Sequence, residues 1–474
     1  MKTITHLFAL LSALLLPALA ACSGGPRPAD TTLPVSLQPS NDIAQTQDAP
    51  PPNIVIIFTD DQGYGDLSCF GHPTIHTPHL DALAADGMKL TQCYVASPVC
   101  SPSRAALLTG CYPKRVGMHQ HVVFPMTAYG LDTDETTIAD MLRQHGYATG
   151  CFGKWHLGHR PGLMPTDQGF DTYYGVPYSN DMSAVHRRPG HNYQFLLPLM
   201  RNNEVLEWEP DQRYLTRDCT QEAVAFIEEN KDEPFFVYLP HSMPHIPLYA
   251  SEDFEGTSPR GLYGDVIEEI DWSVGQIVAT LEEHGLTDNT LIFFTSDNGP
   301  WLPFKLDGGS AGLLRGGKGS NWEGGQRVPA IIALPGTIPP GSVCREVVTT
   351  MDLLPTIAAM TGATLSDRRI DGHDVTPLLT GDPNATSPTD AFLYYTSHGE
   401  LAGIRRGPWK LLLENGQLFH LDHDPSEQYN LANNNANRVA ELRALAAAMD
   451  AEITEHARPR LVVEELLFDP KKPE

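Results

Sequence analysis

Asn53-Ile54-Val55-Ile56-Ile57-Phe58-Thr59-Asp60-Asp61 decides how the rest of this 474-residue chain is read. Ile54 to Phe58 is a continuous apolar run, the pattern of a strand buried on both faces rather than one shared between core and water. Such a strand lies inside a sheet with helices on either side, so the neighbouring sequence must supply them. Leu80 to Gly87 and Thr137 to Gly146 have helical spacing and end at glycine. Tyr147 to Phe152 reads as a second strand, Thr220 to Asn230 as a helix and Phe235 to Leu239 as the next strand. Val266 to His284 is a long helix with apolar positions at helical intervals, and Leu291 to Thr295 is a further buried strand. The alternation predicts an α/β domain: a mostly parallel sheet flanked by helices.

Four of these strands run into ionisable or metal-binding side chains. Asp60-Asp61 follows Phe58, Lys154 and His156 follow Phe152, His241 and His245 follow Leu239, and Asp297-Asn298 follows Phe294. Ligands of open α/β sheets bind just beyond the carboxyl ends of the strands, so four such clusters on one edge form an active-site layout. Asp60, Asp61, Asp297 and Asn298 offer hard oxygen donors suited to Ca2+ or Mg2+. Taken singly, the first pair is a polar loop and the second a turn.

Cys100-Ser101-Pro102-Ser103-Arg104 lies between the first two strands and runs on as Ala-Ala-Leu-Leu to Thr109-Gly110. Ser-Pro reads as an extended lead-in, Ser103 as a cap, Arg104 to Thr109 as a helix and Gly110 as its stop. Cys100 then sits beside a helix N-terminus, where free N–H groups and the dipole favour an anion. Arg104 adds a fork of donors matched to a tetrahedral oxyanion. The thiol itself could be a nucleophile, a disulfide partner or a buried hydrophobe. Three further runs complete the set: Gly153-Lys154-Trp155-His156-Leu157-Gly158, His241-Ser-Met-Pro-His245-Ile-Pro, and the glycine-rich Gly316-Gly317-Lys318-Gly319 with Trp322-Glu323-Gly324-Gly325. Glycines allow a backbone to approach an anion closely. Taken singly, the first is a loop with a solvated lysine and a packed histidine. His241 is either beside the site or structural, and Arg315 and Arg327 read as salt-bridge partners.

Together these runs resemble the type I, formylglycine-dependent sulfatases, in their arylsulfatase A-like branch, from Asn53 to about Ala432. The resemblance implies an alkaline-phosphatase-like fold with a smaller C-terminal α+β subdomain carrying a short antiparallel sheet. It implies that Cys100 is converted to formylglycine, whose hydrate attacks a sulfate ester, by a formylglycine-generating or anaerobic sulfatase-maturating enzyme. It places a divalent cation, Ca2+ before Mg2+, on Asp60, Asp61, Asp297, Asn298 and an oxygen of residue 100. It gives Lys154, His245 and Lys318 to the sulfate, with Arg104 stabilising charge and Asp297 helping to activate the nucleophile. His245 would protonate the leaving alcohol and His156 would help regenerate the aldehyde. Tyr178-Ser179-Asn180-Asp181 resembles a Pro-Tyr-Ser-His-Asp loop of that branch, with Asn180 in place of His and Ser179 a pocket residue. The implied activity is hydrolysis of sulfate monoesters, with a sulfated glycan or small molecule as substrate. The competing readings are a phosphomonoester or phosphonate hydrolase of the same superfamily and a lipoprotein that binds sulfated glycan without cleaving it.

Bulk properties bound the partners. A formal net charge of −26 argues against nucleic acid, which needs a basic surface. It does not exclude an anionic ester. Exposed charges are screened over about 8 Å at physiological salt. A cation about 4 Å from a sulfate contributes roughly 4 kcal/mol at an effective dielectric near 20.

The N-terminus reads as targeting: Lys2, an apolar Leu7 to Leu19, then Leu19-Ala20-Ala21-Cys22. This is a lipoprotein signal over 1–21 with lipid on Cys22, or else an ordinary signal peptide. The run is too short for a transmembrane helix. Residues 22–52 form a Pro-rich tether. The protein is thus expected to be exported, periplasmic or at the cell surface, and membrane-bound through a lipid anchor alone. The catalytic domain is expected over 53–380 and the C-terminal subdomain over 381–474, with strands at Phe392 to Tyr395, Gly403 to Arg406, Trp409 to Leu413 and Leu418 to Leu421 and a helix at Arg438 to Thr454. Beyond Cys22 and Cys100, six cysteines allow fifteen pairings or none.

Overall fold

A computed structural model describes residues 50–186 and 190–471. The signal segment 1–21, the lipidation candidate Cys22 and all but the last residues of the tether lie outside them. All seven described cysteines are free, so no pairing is drawn among them.

Asn53–Thr59 is the middle of a ten-stranded sheet, and every one of its residues is buried. Its side chains alternate between two cores. Ile54, Ile56 and Phe58 join one, Val55 and Ile57 the other, as a period of two requires of a strand covered on both sides. Thr290–Ser296 pairs parallel on one flank and Phe235–Pro240 on the other, followed by Ala148–Lys154 and Thr172–Val176, also parallel. The register sets Thr59 beside Ser296, so Asp60-Asp61 and Asp297-Asn298 leave the sheet side by side.

The outer strands depart from the expected parallel pattern. Ala330–Ala333 and Met88–Leu90 add on antiparallel at one side, and the hairpin of Pro198–Arg201 and Glu204–Trp208 at the other. The sheet is therefore parallel at its centre and mixed at its flanks. Met88–Leu90 and Glu204–Trp208 are short and interrupted by charged residues, so no apolar run marks them in the sequence. The helices Pro78–Asp86, Leu215–Glu229 and Leu262–Glu283 pack against the sheet and one another.

One local expectation is corrected. The helix carrying the cysteine is Cys100–Thr109, with Val99 at the cap and Gly110 closing it at φ 66°. Cys100 is its first residue, and Ser103 lies inside it rather than capping it. Pro102 is tolerated because first-turn N–H groups have no helical partner to lose. The whole helix is buried. Cys100 faces one core of the sheet, Leu107 and Leu108 the other, and Ala106 meets a third core that includes Phe392, Tyr394 and Leu442. That third core belongs to a four-stranded antiparallel meander, Ala391–Tyr395, Leu401–Arg406, Trp409–Leu412 and Gln417–His420, with helix Ala436–Glu455 packed on it.

Candidate active site

The sheet edge assembles the charged residues around Cys100. Its Sγ donates to Asp60 Oδ1 at 3.4 Å and lies 3.6 Å from Lys318 Nζ. Burial pushes the Cys100 thiol well up and Asp60 adds to the effect, so the side chain is a protonated thiol and a poor nucleophile as it stands.

The carboxylates are held by fixed cations. Lys154 Nζ donates to Asp60 and, at 3.1 Å, to Ser179 Oγ. Lys318 Nζ reaches Asp61 at 2.7 Å. Arg104 donates twice to Asp297 Oδ2, at 3.0 and 2.8 Å, and once to the Lys154 carbonyl at 2.8 Å. Burial opposes ionisation of Asp60, but the fixed charges of Lys154, Arg104 and Lys318 outweigh it and hold the carboxyl well below its usual range. Burial pushes Asp61 up, against Lys318. It also pushes Asp297 up to about 7, with Asp60 adding to the shift. Every contact on Asp297 is nevertheless a donor: the Arg104 fork and, at 3.2 Å, the Asp61 N–H. That arrangement favours the carboxylate.

The donor set fits a hard divalent cation. Ligand atoms of Asp60, Asp61, Cys100 and His245 lie within 4.8 Å of one another. Asn298 donates its amide to Asp61 at 2.8 Å, which leaves its own Oδ1 buried and without a protein partner. Buried carbonyl oxygens are rarely left so unless something binds them.

Two histidines face the same space. His156, at φ 64°, donates Nε2 to the Val123 carbonyl at 2.9 Å, leaving Nδ1 bare. His245 gives Nδ1 to the Ile246 carbonyl at 2.6 Å and holds Nε2 3.6 Å from Asp61. These partners assign the tautomers. Burial keeps both rings neutral, helped at His156 by Lys154 and Arg104 and at His245 by Lys318. His241 is apart from them: it hydrogen-bonds Ser273 at 3.1 Å inside the fold and does not line the cavity. Arg327 pairs with Glu323 at 3.6 Å, whereas Arg315 stacks on Trp322 at 3.6 Å and donates to the Glu427 carbonyl instead of forming a salt bridge.

A cavity of about 240 Å3 opens onto Cys100, with His156, Ser179, His245 and Lys318 in its walls. Trp301 completes the wall, 4.1 Å from Lys318 Nζ and 5.3 Å from the His245 ring. Sequence reading missed Trp301, and also Gln62, whose buried amide has no partner although it follows Asp60-Asp61 directly. Their positions beside the two acidic runs were the available signal.

Comparison with known proteins gives the family. The sulfatase family model matches residues 52–363, and a model of the N-sulphoglucosamine sulphohydrolase C-terminal region matches 318–456. Human arylsulfatase A is 38% identical over 462 residues, covering 86% of this chain and 90% of that protein. Dog N-acetylgalactosamine-6-sulfatase is 39% identical, covering 76% and 71%. Among solved structures, Ps i-CgsB in complex with k-i-k-neocarrahexaose has a TM-score of 0.77 at 31% identity, covering 88% and 95%. A phosphonate monoester hydrolase of Agrobacterium radiobacter, at 22% identity and a TM-score of 0.61, shares the alkaline-phosphatase-like fold. The chain belongs to the sulfatase family. It is a sulfuric ester hydrolase of the arylsulfatase type, and its fold is the α/β class expected from the strand pattern.

Proposed function

We propose that the protein removes sulfate from a sulfated glycan, using formylglycine made from Cys100 and a divalent cation, Ca2+ before Mg2+. The observation that carries this reading is the convergence on Cys100 of Asp60, Lys154, Lys318 and His245. The glycan is supported by solved relatives described for glycosaminoglycan metabolism and for a carrageenan-type oligosaccharide.

Asp60, Asp61, Asp297 and Asn298 Oδ1 would hold the cation, which when bound polarises a sulfate oxygen. Formylglycine hydrate at position 100 would supply one hydroxyl to attack sulfur as the alcohol leaves, and a second that would lose its proton as sulfate departs and the aldehyde re-forms. The chain's own residues do the rest. Lys154 and Lys318 hold the negative charge of the ester where it grows in the transition state. Arg104 spends its donors on Asp297 and the Lys154 carbonyl, so it positions Asp297 and acts on the sulfate through its field. A bound anion raises the proton affinity of His245 Nε2, and that proton is placed for the leaving alcohol oxygen. The bare Nδ1 of His156 accepts a proton as the site resets. Ser179 steadies Lys154.

The helix bearing Cys100 is buried throughout, so the maturing enzyme must meet this run before the domain closes. Export with a lipid on Cys22 completes the reading, and the described residues contain no helix long and apolar enough to cross a membrane.

Mass spectrometry of the peptide spanning residue 100, with kinetics on aryl sulfate and aryl phosphate, tests the reading. We expect conversion of the cysteine and a dominant sulfatase rate. An unconverted cysteine in fully active enzyme, or faster phosphate turnover, overturns it.

A further inference from the structure

Residues 121–128 form one wall of the cavity at Cys100, where His121, Val122 and Phe124 line it. The same loop orients a reacting group. Val123 donates its N–H to Ser101 Oγ at 3.0 Å, beside the reactive position, and its carbonyl accepts His156 Nε2. The groups that hold the loop lie outside the cavity lining. His159 Nε2 meets the Pro125 carbonyl at 2.7 Å. The Arg160 guanidinium, 4% exposed, donates to the carbonyls of Thr127 at 3.0 Å and Met126 at 3.2 Å. Its Nη1 donates to those of Glu464 at 2.6 Å and Glu465 at 3.3 Å.

Glu464 and Glu465 belong to the stretch 457–470, which follows the last residue that either family model matches. This stretch grips the loop again further on. Leu461–Val462 pairs antiparallel with Tyr129–Gly130, and Val463 donates to the Ala128 carbonyl at 2.7 Å. Phe468 packs against the His159 ring at 5.9 Å and Trp208 at 5.7 Å. A buried charge is costly unless hydrogen bonds satisfy it. A planar fork of five donors reaches carbonyls of two segments at once, whereas an ammonium group has no such fork.

We infer that Arg160 is a positioning residue: it clasps the stretch 457–470 to the cavity wall and, through the Val123 carbonyl, fixes the His156 ring for the last step of the reaction. The inference rests on the role given to His156 above. In that step the C–O bond to sulfate breaks and sulfate leaves with the electron pair. The hydroxyl remaining on residue 100 gives its proton to His156 Nδ1 as C=O re-forms.

Rapid-mixing and steady-state kinetics on 4-nitrophenyl sulfate compare mature wild type, Arg160→Ala, Arg160→Lys and His156→Ala. Lysine keeps the charge, so Arg160→Lys decides if the alanine variant fails to fold, which melting curves report. When release of sulfate is the slow step, kcat and KM fall together. In both Arg160 variants kcat should fall about tenfold or more, since a misplacement of about 1 Å can cost about 10²-fold. kcat/KM should stay near wild type, and 4-nitrophenol should appear in a burst of one equivalent. His156→Ala should show the same split and burst, and adding Arg160→Lys to it should slow it no further. Unchanged kcat in Arg160→Lys, kcat/KM that falls in step with kcat, or a missing burst overturns the inference. A His156→Ala enzyme that lacks the split and the burst overturns the role of His156 itself, and loss of all sulfate ester turnover in mature wild type overturns the sulfatase reading.

Discussion

Glu323 and Lys410, both fully buried, pair at 3.0 Å and tie the glycine-rich loop of Lys318 to the C-terminal sheet. Lys410 also reaches Glu427 at 2.8 Å, and Glu427 accepts the Glu323 N–H at 2.7 Å. Tyr94 and Tyr394 donate to the Glu323 carboxylate as well. The active-site loop is therefore pinned by a charge network that the reaction does not use.

Removing its one lysine should be costly. Lys410→Met leaves two buried carboxylates without their partner, and breaking such a pair destabilises by about 3–5 kcal/mol. Urea unfolding should show the midpoint falling at constant slope. A loss under 1 kcal/mol would mean that the tyrosines and arginines alone hold the carboxylates.

The same network sets an acid limit. Burial pushes Glu323 up, but Lys410, Arg327 and Arg405 outweigh it and hold it down at about 2. A depressed carboxyl contributes stability that is complete above its unfolded value, about 4.5, and is lost as pH falls towards 2. Burial raises Glu427 against the pull of Lys410, so Glu427 takes a proton first and leaves Lys410 to Glu323. Stability measured against pH should fall more steeply below pH 4.5 in wild type than in Glu323→Gln. Parallel curves would remove Glu323 from the acid transition.

Chelation should lower both turnover and thermal stability. Asp60, Asp61 and Asp297 are buried together, and a cation that binds the folded state adds about 2.7 kcal/mol at one hundred times its dissociation constant. Ca2+ should restore the melting temperature of chelated wild type and leave Asp297→Asn unmoved. A melting temperature indifferent to Ca2+ and Mg2+ in wild type would sink the metal assignment.

The histidines should separate by leaving group. His245→Ala is expected to cost about 10²–10⁴ in kcat on an alkyl sulfate, where the departing oxygen needs a proton. It should cost much less on 4-nitrophenyl sulfate. His156→Ala should slow both esters alike, because its Nδ1 acts after the alcohol has left. Equal losses on the two esters in His245→Ala would remove it as the proton donor.

Much of this architecture is written locally. The unbroken Ile54 to Phe58 run demanded a strand with cores on both sides, and Gly87, Gly110 and Gly146 ended helices near where they end in the structure. Acidic and basic residues just past apolar strands marked one edge of the sheet before any pairing was known. The outer strands Met88–Leu90 and Glu204–Trp208 escaped notice because charged residues break up their few apolar positions. The helix start escaped because a serine after proline imitates a cap.

What the chain determined by itself was its elements and the chemistry at their ends, since side-chain periodicity and turn residues act over a few positions. Tertiary structure alone decided the partners: Arg104 with Asp297, Lys318 with Asp61, and Lys410 between Glu323 and Glu427. Those residues stand far apart in sequence. The parallel register that sets Thr59 beside Ser296, and the docking of the C-terminal meander onto helix Cys100–Thr109, are cooperative outcomes of packing the whole core.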